Sequence, residues 1–307
     1  MNDTIIIHTD YYANWIFDPT HPTQGRRFTN GVNMIQALTP GLPIIEPRPA
    51  TYQQLSTMHS ATYLSQVLHS HISGEWDGRR PDMAELATLF VGGTLTALES
   101  LLNEEALTAI HLPGAKHHAM RDHSSGFCVF ADFAIAARIA ADHGKRVAIF
   151  DIDAHHGDGT EALTLDDDRI LTYSVHEWGI FPGTGEFSLP EKKAINYPLP
   201  RNSGNPALMN AVYAFAGWVE RHQADIIFIA GGADGHETDP LSTLDYTHLG
   251  FQTAMMVLRE MFPTIPILLG GAGGYQPDDE TPLAWASMVK GLVTAQHSST
   301  PQQRLSI

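Results

Sequence analysis

Asp151-Ile152-Asp153-Ala154-His155-His156-Gly157-Asp158-Gly159 decides how this chain is read. It follows Val147-Ala148-Ile149-Phe150, a continuously apolar run of the kind found in a strand buried on both faces of a parallel sheet. Carboxylates and imidazoles crowded at the tip of such a strand are costly to bury unless they are paired or bind a metal. Alternate residues of an extended chain share a face, so Asp153 and His155 project together and Asp151 lies one step behind. A solvated loop is the competing reading. Two metal-competent side chains two positions apart, with another acid behind them, favour a metal site.

On either side, strand-like and helix-like segments alternate. Residues 4–8, 147–153, 170–175, 225–230 and 265–269 read as strands. Residues 82–103, 131–143, 205–223 and 247–261 read as helices, with a closing helix from 282 onward. Gly92-Gly93 lies inside the first of these helices and permits close packing, Gly144 is placed to end the second, and Asn205-Pro206 supplies a cap and an early proline for the third. Strands interleaved with helices predict an α/β fold, a mostly parallel central sheet with helices on both faces. No repeat or composition break divides the chain. One domain over residues 1–297 is expected, with a Ser/Thr/Gln-rich tail over 298–307.

The 18 basic and 34 acidic residues give a formal charge of −16, a surface that repels nucleic-acid phosphates and favours cationic partners such as lysine side chains or polyamines. No apolar stretch is expected to approach the length of a membrane span, and Met1-Asn2-Asp3-Thr4 lacks the features of a signal peptide. Cys128 is the 1 cysteine of the chain, so an internal disulfide is excluded and a reducing compartment fits, with the cytoplasm as the expected location. A homo-oligomer is left open.

Every candidate cluster falls just past a strand-like run. Asp151 to Asp158 follows one, Gly231 to Pro240 a second, Gly270 to Tyr275 a third, and Pro113-Gly114-Ala115-Lys116-His117-His118 a short fourth. In parallel sheets, ligands bind at the carboxyl ends of strands, where these loops would meet. Asp153, His155 and Asp234 would make a three-ligand site with an open position for water, as catalytic zinc needs. Two carboxylates and one imidazole are a hard donor set, so iron(II) and cobalt(II) stay open. His117-His118 could move protons there, with Asp151 and Asp158 each orienting one ring. Tyr275, after a run of glycines, could donate to an oxyanion opposite the metal. Cys128 sits among Phe127, Val129 and Phe130, which signals a buried, inert thiol rather than a nucleophile.

Taken together, these elements resemble the histone deacetylase superfamily, including acetylpolyamine amidohydrolases and acetoin-utilisation proteins. The resemblance runs from His21-Pro22 and Arg26-Arg27, through Pro-Gly-x-x-His117-His118 and Ser124-Ser125-Gly126-Phe127-Cys128, to the Asp151–Gly159 string. It continues in Phe181-Pro182-Gly183-Thr184-Gly185, Asp234 with Asp239-Pro240-Leu241, and Gly-Gly-Tyr275. It implies an arginase-deacetylase type fold and a zinc-dependent deacylase acting on N-acyl-lysine or related N-acyl amines. By the same match Asp153, His155 and Asp234 hold the zinc, His117 pairs with Asp151 and His118 with Asp158, and Tyr275 is the transition-state donor. Gly126, Phe127, Phe181 and Leu241 line an apolar tunnel, and Asp77 is the rim acid that holds substrate backbone. A structural potassium ion is implied near Asp151, Asp153, His155, Ser174 and Val175. Leu241 stands where some polyamine-specific relatives carry an acid. Ala131-Asp132 replaces an asparagine pair, Ala272 is an extra residue, Gln276 replaces an asparagine, and the loop from His176 to Phe181 is short. Three other readings remain open: an acetylpolyamine amidohydrolase, a binuclear manganese arginase-like hydrolase, and a non-catalytic acyl-ligand sensor.

Overall fold

The computed structural model of the chain describes residues 3–298. Among them, strands β1 (Thr4–Ile7), β2 (Ile44–Ile45), β3 (Thr108–His111), β4 (Val147–Asp151), β5 (Ile170–Glu177), β6 (Ala194–Leu199), β7 (Ile226–Ala230) and β8 (Ile267–Gly270) form one sheet. Its order is β2-β1-β3-β8-β7-β4-β5-β6, and every pairing is parallel. Every residue of β3, β4, β5, β7 and β8 is buried, which requires cover on both faces. The helices of the described residues are α1 (Arg26–Leu38), α2 (Tyr52–Leu55), α3 (Ala61–Leu68), α4 (Pro81–Leu102), α5 (Asp132–Asp142), α6 (Asp158–Thr164), α7 (Asn205–His222), α8 (His248–Met261) and α9 (Glu280–Ser298), of which α4, α5, α6 and α7 pack directly on the strands. The predicted α/β class holds, and the sheet is wholly parallel.

The strand order is what gathers the site. β3, β8, β7 and β4 are consecutive neighbours in the middle of the sheet. Because they are parallel, the four loops singled out in the sequence leave the same edge side by side. The register is tight: Asp151 lies opposite Ala230, Ala230 opposite Gly270, and Gly270 opposite His111. Backbone bonds then join the loops, with Ala272 N donating to Gly114 O at 3.0 Å and Ala233 N to Gly273 O at 2.9 Å.

Several expected boundaries move for identifiable reasons. β4 stops at Asp151 rather than Asp153, because Asp151 Oδ1 accepts the Asp153 N–H at 3.1 Å and turns the chain out of the ladder. Asn205 does not cap its own helix. It bridges to the next one, its Oδ1 accepting from Thr247 N at 3.0 Å and its Nδ2 donating to Thr247 Oγ1 at 2.9 Å. β6 was not expected. It carries Pro198, which a ladder tolerates here because β6 is the edge strand. The closing helix begins at Glu280, two residues before the expected 282. The expected tail, apart from Ser298, lies outside the described residues.

One expectation about length is corrected. Pro81–Leu102 is long and apolar enough to cross a membrane, but 72% of its apolar window is buried inside the protein, as in a core helix. The Gly92-Gly93 pair explains how it gets there. A Cβ at Gly92 would lie 1.7 Å from the carbonyl oxygen of Arg48, and one at Gly93 would lie 2.2 Å from His111 Nε2. Replacing a helical glycine with alanine ordinarily gains about 0.5–1 kcal/mol. Overpacking against a backbone oxygen costs about 1–3 kcal/mol, so the clash decides the sign. Gly92→Ala is therefore expected to lower the unfolding free energy by a net of about 1–2 kcal/mol, read as a lower urea midpoint. A midpoint equal to or above that of the wild-type protein would contradict this packing.

Candidate metal centre

Asp153 and His155 leave the tip of β4 and Asp234 leaves the tip of β7. One donor atom from each lies within 4.8 Å of the other two. His155 Nδ1 is 3.1 Å from Asp153 Oδ1 and 3.0 Å from Asp234 Oδ2. The three converge through a bend rather than through strand alternation, with Asp153 Oδ1 accepting the His155 N–H at 2.9 Å. Backbone donors hold both acids: Ala154 N donates to Asp234 Oδ1 at 2.9 Å, and Gly273 N to Asp153 Oδ2 at 2.6 Å. Gly273 is required for this approach, since a Cβ there would come within 2.2 Å of Asp234 Oδ2 and 2.6 Å of Asp153 Oδ2.

Asp153 and Asp234 are 1% and 0% exposed, so neither charge is relieved by water. Burial, followed by the charge of Asp153, pushes Asp234 up to about 6. Asp153 is held well below the usual range: burial opposes its ionisation, but His117 and His155 outweigh it. On His155, burial is outweighed by hydrogen bonds to the two acids, which raise it to about 11. One imidazole proton neutralises only one of the two carboxylates. A divalent cation would neutralise both, so the donor set and its burial fit a metal ion.

Beside this group stands a histidine pair whose members differ. His117 Nδ1 is 2.8 Å from Asp151 Oδ2, and His118 Nδ1 is 2.7 Å from Asp158 Oδ1. Their ring centroids are 4.0 Å apart. For His117, burial is overcome by Asp151 and Asp153, which raise it to about 9. For His118, burial and then the charge on His117 push it down to about 4. At neutral pH one ring is charged and the other is a free base, the separation expected of an acid/base pair.

Above the group lies a cavity of about 380 Å³ lined by His118, Gly126, Phe127, His155, Ile180, Phe181, Leu241 and Tyr275. The Phe181 ring stands 4.9 Å from that of His118, and Phe127 stands 6.1 Å from Tyr275. Gly126 and Phe127 have φ of 54° and 64°. Only glycine fits at 126, where a Cβ would meet His118 Cδ2 at 2.4 Å and Phe181 Cε1 at 2.9 Å. Phe127 is held in its left-handed conformation by Glu75 Oε2, which accepts its N–H at 2.8 Å, and by His21, whose ring is 4.6 Å away. Burial, and then the charges of Asp234 and Asp153, push the Tyr275 hydroxyl well above its ordinary value, so it remains a proton donor.

The sequence-predicted residues come together with few exceptions. Asp77 is exposed and does not line the cavity, whereas Glu75, two residues earlier, touches its wall. Ser174 is the register partner of Asp151, and Val175 follows it on β5. Cys128 is buried, and burial raises its thiol to about 12, as expected of an inert sulfur. Among the described residues, no second group of three candidate ligands shares Asp153 or Asp234. His236 belongs to a separate group and Glu237 is exposed.

Three supporting residues were not given roles from sequence. Asp132 is fully buried and accepts from Ala115 N at 3.0 Å and Lys116 N at 2.7 Å, fixing the turn that delivers His117. Arg27 donates to Gly274 O at 2.5 Å and braces the Tyr275 loop. Asp239 Oδ2 accepts the Tyr275 N–H at 2.9 Å, and burial raises its carboxyl to about 7. Asp239 stands in the loop after β7, but nothing adjacent in sequence to Arg27 or Asp132 names the distant loop that each one holds.

Comparison with known proteins shows the family of the chain. Residues 19–292 match the histone deacetylase domain. The chain is 32% identical over 324 residues to the acetoin utilization protein AcuC of Bacillus subtilis (strain 168), across 93% of this chain and 81% of that protein. A probable deacetylase of Archaeoglobus fulgidus is 30% identical over 272 residues, covering 82% of this chain and 74% of its own. The crystal structure of the HDA15 HD domain superposes with a TM-score of 0.82 at 19% identity over 96% of both chains, a likeness of fold. The chain belongs to the histone deacetylase family.

Proposed function

We propose that this protein is a metal-dependent deacylase that hydrolyses the amide of an N-acyl-lysine side chain or a related N-acyl amine. The observation that carries the reading is the foot of the apolar-walled cavity, where the ligand His155, the free base His118 and the protonated Tyr275 face one space. Zinc suits the site, with iron(II) or cobalt(II) as the other candidates. When bound by Asp153, His155 and Asp234, the ion supplies Lewis acidity toward an acyl carbonyl and a water molecule. A structural potassium ion beside Asp151, Asp153, His155, Ser174 and Val175 is part of the proposal, supported by the in-register tips of β4 and β5.

His118 Nδ1 is engaged by Asp158, which leaves Nε2 to take the proton of the attacking water. His117, held charged by Asp151, keeps His118 from protonating early and supplies positive charge beside the developing oxyanion. The Tyr275 hydroxyl donates to that oxyanion, and a histidine of the pair returns a proton to the leaving amine. Phe127, Ile180, Phe181 and Leu241 exclude water along a methylene chain. The net charge of −16 favours the approach of a cationic substrate. The buried single thiol fits a cytoplasmic setting. An acylated polyamine shares the amide and the chain. Leu241 at the cavity wall, where an acid would suit a polyamine, favours acyl-lysine.

With an acetyl-lysine peptide as substrate, Tyr275→Phe is expected to lower kcat by about 10²–10³. Chelation is expected to abolish turnover, with added Zn²⁺ restoring it. Turnover that survives chelation, or a Tyr275→Phe enzyme as fast as wild type, would remove the basis of the reading. Tight hydroxamate binding without hydrolysis of any acyl substrate would indicate a sensor, and preference for N-acetylpolyamines over peptides would indicate the polyamine reading.

The histidine pair sets the pH dependence. Activity needs neutral His118 and charged His117, so kcat/KM is expected to rise with pH through about 4 and fall on the alkaline side, by about 9. A bound cation offsets the pull of Asp153 and brings the alkaline limb lower. Asp151→Asn removes a charge that raises His117 and should move that limb to lower pH. An alkaline limb unmoved in this variant would contradict the assignment.

A further inference from the structure

His236, His248 and Glu280 meet from three separate segments: the loop after β7 and the first residues of α8 and α9. One donor atom from each lies within 4.8 Å of the others. The two imidazoles are packed 4.1 Å apart at 33°. His248 Nε2 lies 3.2 Å from Glu280 Oε2, yet this buried nitrogen makes no hydrogen bond. Ring and carboxylate are close without being aimed at each other, as donors sharing a third atom would be. His236 Nδ1 is engaged by Thr238 Oγ1 at 3.0 Å, which leaves Nε2 free and fixes the ring, the usual outer support of a ligating histidine.

We propose that His236, His248 and Glu280 form a second divalent transition-metal site, distinct from the Asp153–His155–Asp234 group, whose ion braces the loop carrying Tyr275. Two imidazoles and one carboxylate suit Zn²⁺, and a softer, more nitrogen-rich set than the first favours Ni²⁺ and Cu²⁺ as well. The side chains of His248 and Glu280 are 27% and 32% exposed, so the ion exchanges with solvent and binds more weakly than one at the buried group.

The bracing follows from two short paths that end on one residue. From His236, Thr238 Oγ1 donates to Gln276 Oε1 at 2.8 Å. From Glu280, the adjacent Thr281 closes a reciprocal pair with Gln276, Gln276 N donating to Thr281 Oγ1 and Thr281 N to Gln276 O, both at 3.1 Å. Gln276 is bonded directly to Tyr275. An ion tying the first residues of α8 and α9 to the β7 loop therefore restricts the segment that aims the tyrosine.

The test is zinc stoichiometry of the full-length protein, stripped with chelator and titrated with Zn²⁺ by calorimetry, beside His248→Ala, Glu280→Gln and Asp234→Asn. Two equivalents are expected for wild type and one for each variant, with the weaker event missing in His248→Ala and Glu280→Gln and the tighter one in Asp234→Asn. Circular dichroism of the metal-free variants checks that they fold. Equal stoichiometry in wild type and both His248→Ala and Glu280→Gln overturns the site. A loss confined to these two, with Asp234→Asn unchanged, would instead count against the first centre. Amide exchange of residues 274–281 is expected to slow on the second equivalent in wild type and not in His248→Ala. An equivalent lost without that difference overturns the bracing role.

Discussion

Two carboxylates, Asp153 and Asp234, are buried against one another with a single imidazole between them, and much of the surrounding structure serves to hold them there. Left to themselves, like charges in a low-dielectric interior separate or take up protons. Here they are pinned. Backbone N–H groups of Ala154 and Gly273 hold one oxygen of each acid, and the absence of side chains at Gly232 and Gly273 lets the loops close over them. Two buried carboxylates pinned around one imidazole are a group that could hold a cation.

The parallel sheet makes the assembly possible. Each acid sits at the tip of a different strand, β4 and β7, which are direct neighbours. The histidine pair arrives from β3 and the tyrosine from β8, on the far side of β7. Four loops distant in sequence are thus brought side by side at one edge. The charged partners are then sorted by distance: Asp151 reaches His117, Asp158 reaches His118, and the two rings acquire opposite protonation tendencies although they are adjacent in the chain. Burial, which pushes His118 down, also pushes the Tyr275 hydroxyl up, and there the charges of Asp234 and Asp153 add to it.

Much of this was legible in the sequence because buried parallel strands are continuously apolar. Val147–Phe150 and Ile226–Ala230 announce themselves, and polar residues just past them have few explanations besides a site. The candidate ligands Asp153, His155 and Asp234, the histidine pair and Tyr275 could be singled out for that reason, and the fold brings them together. What could not be read depends on contacts between segments far apart. Asp132 and Arg27 look like an ordinary acid and base until the fold puts them under the His117 and Tyr275 loops. Asn205 reads as a cap for the helix it begins, yet the nearby Thr247 competes for its side chain. Glu75 and Asp77 are two residues apart in an irregular turn, where no periodicity says which acid reaches the Phe127 backbone. β6 was hidden by Pro198, which only its edge position excuses.

The buried acid pair is tested most directly by diffraction from crystals of the zinc-loaded protein, with anomalous data collected on both sides of the zinc edge. An anomalous peak at coordination distance from Asp153, His155 and Asp234 is the expected result. Ordered Asp153 and Asp234 carboxylates with no anomalous peak between them, or the two acids turned apart, would contradict the claim that this protein is built around a cation at that point.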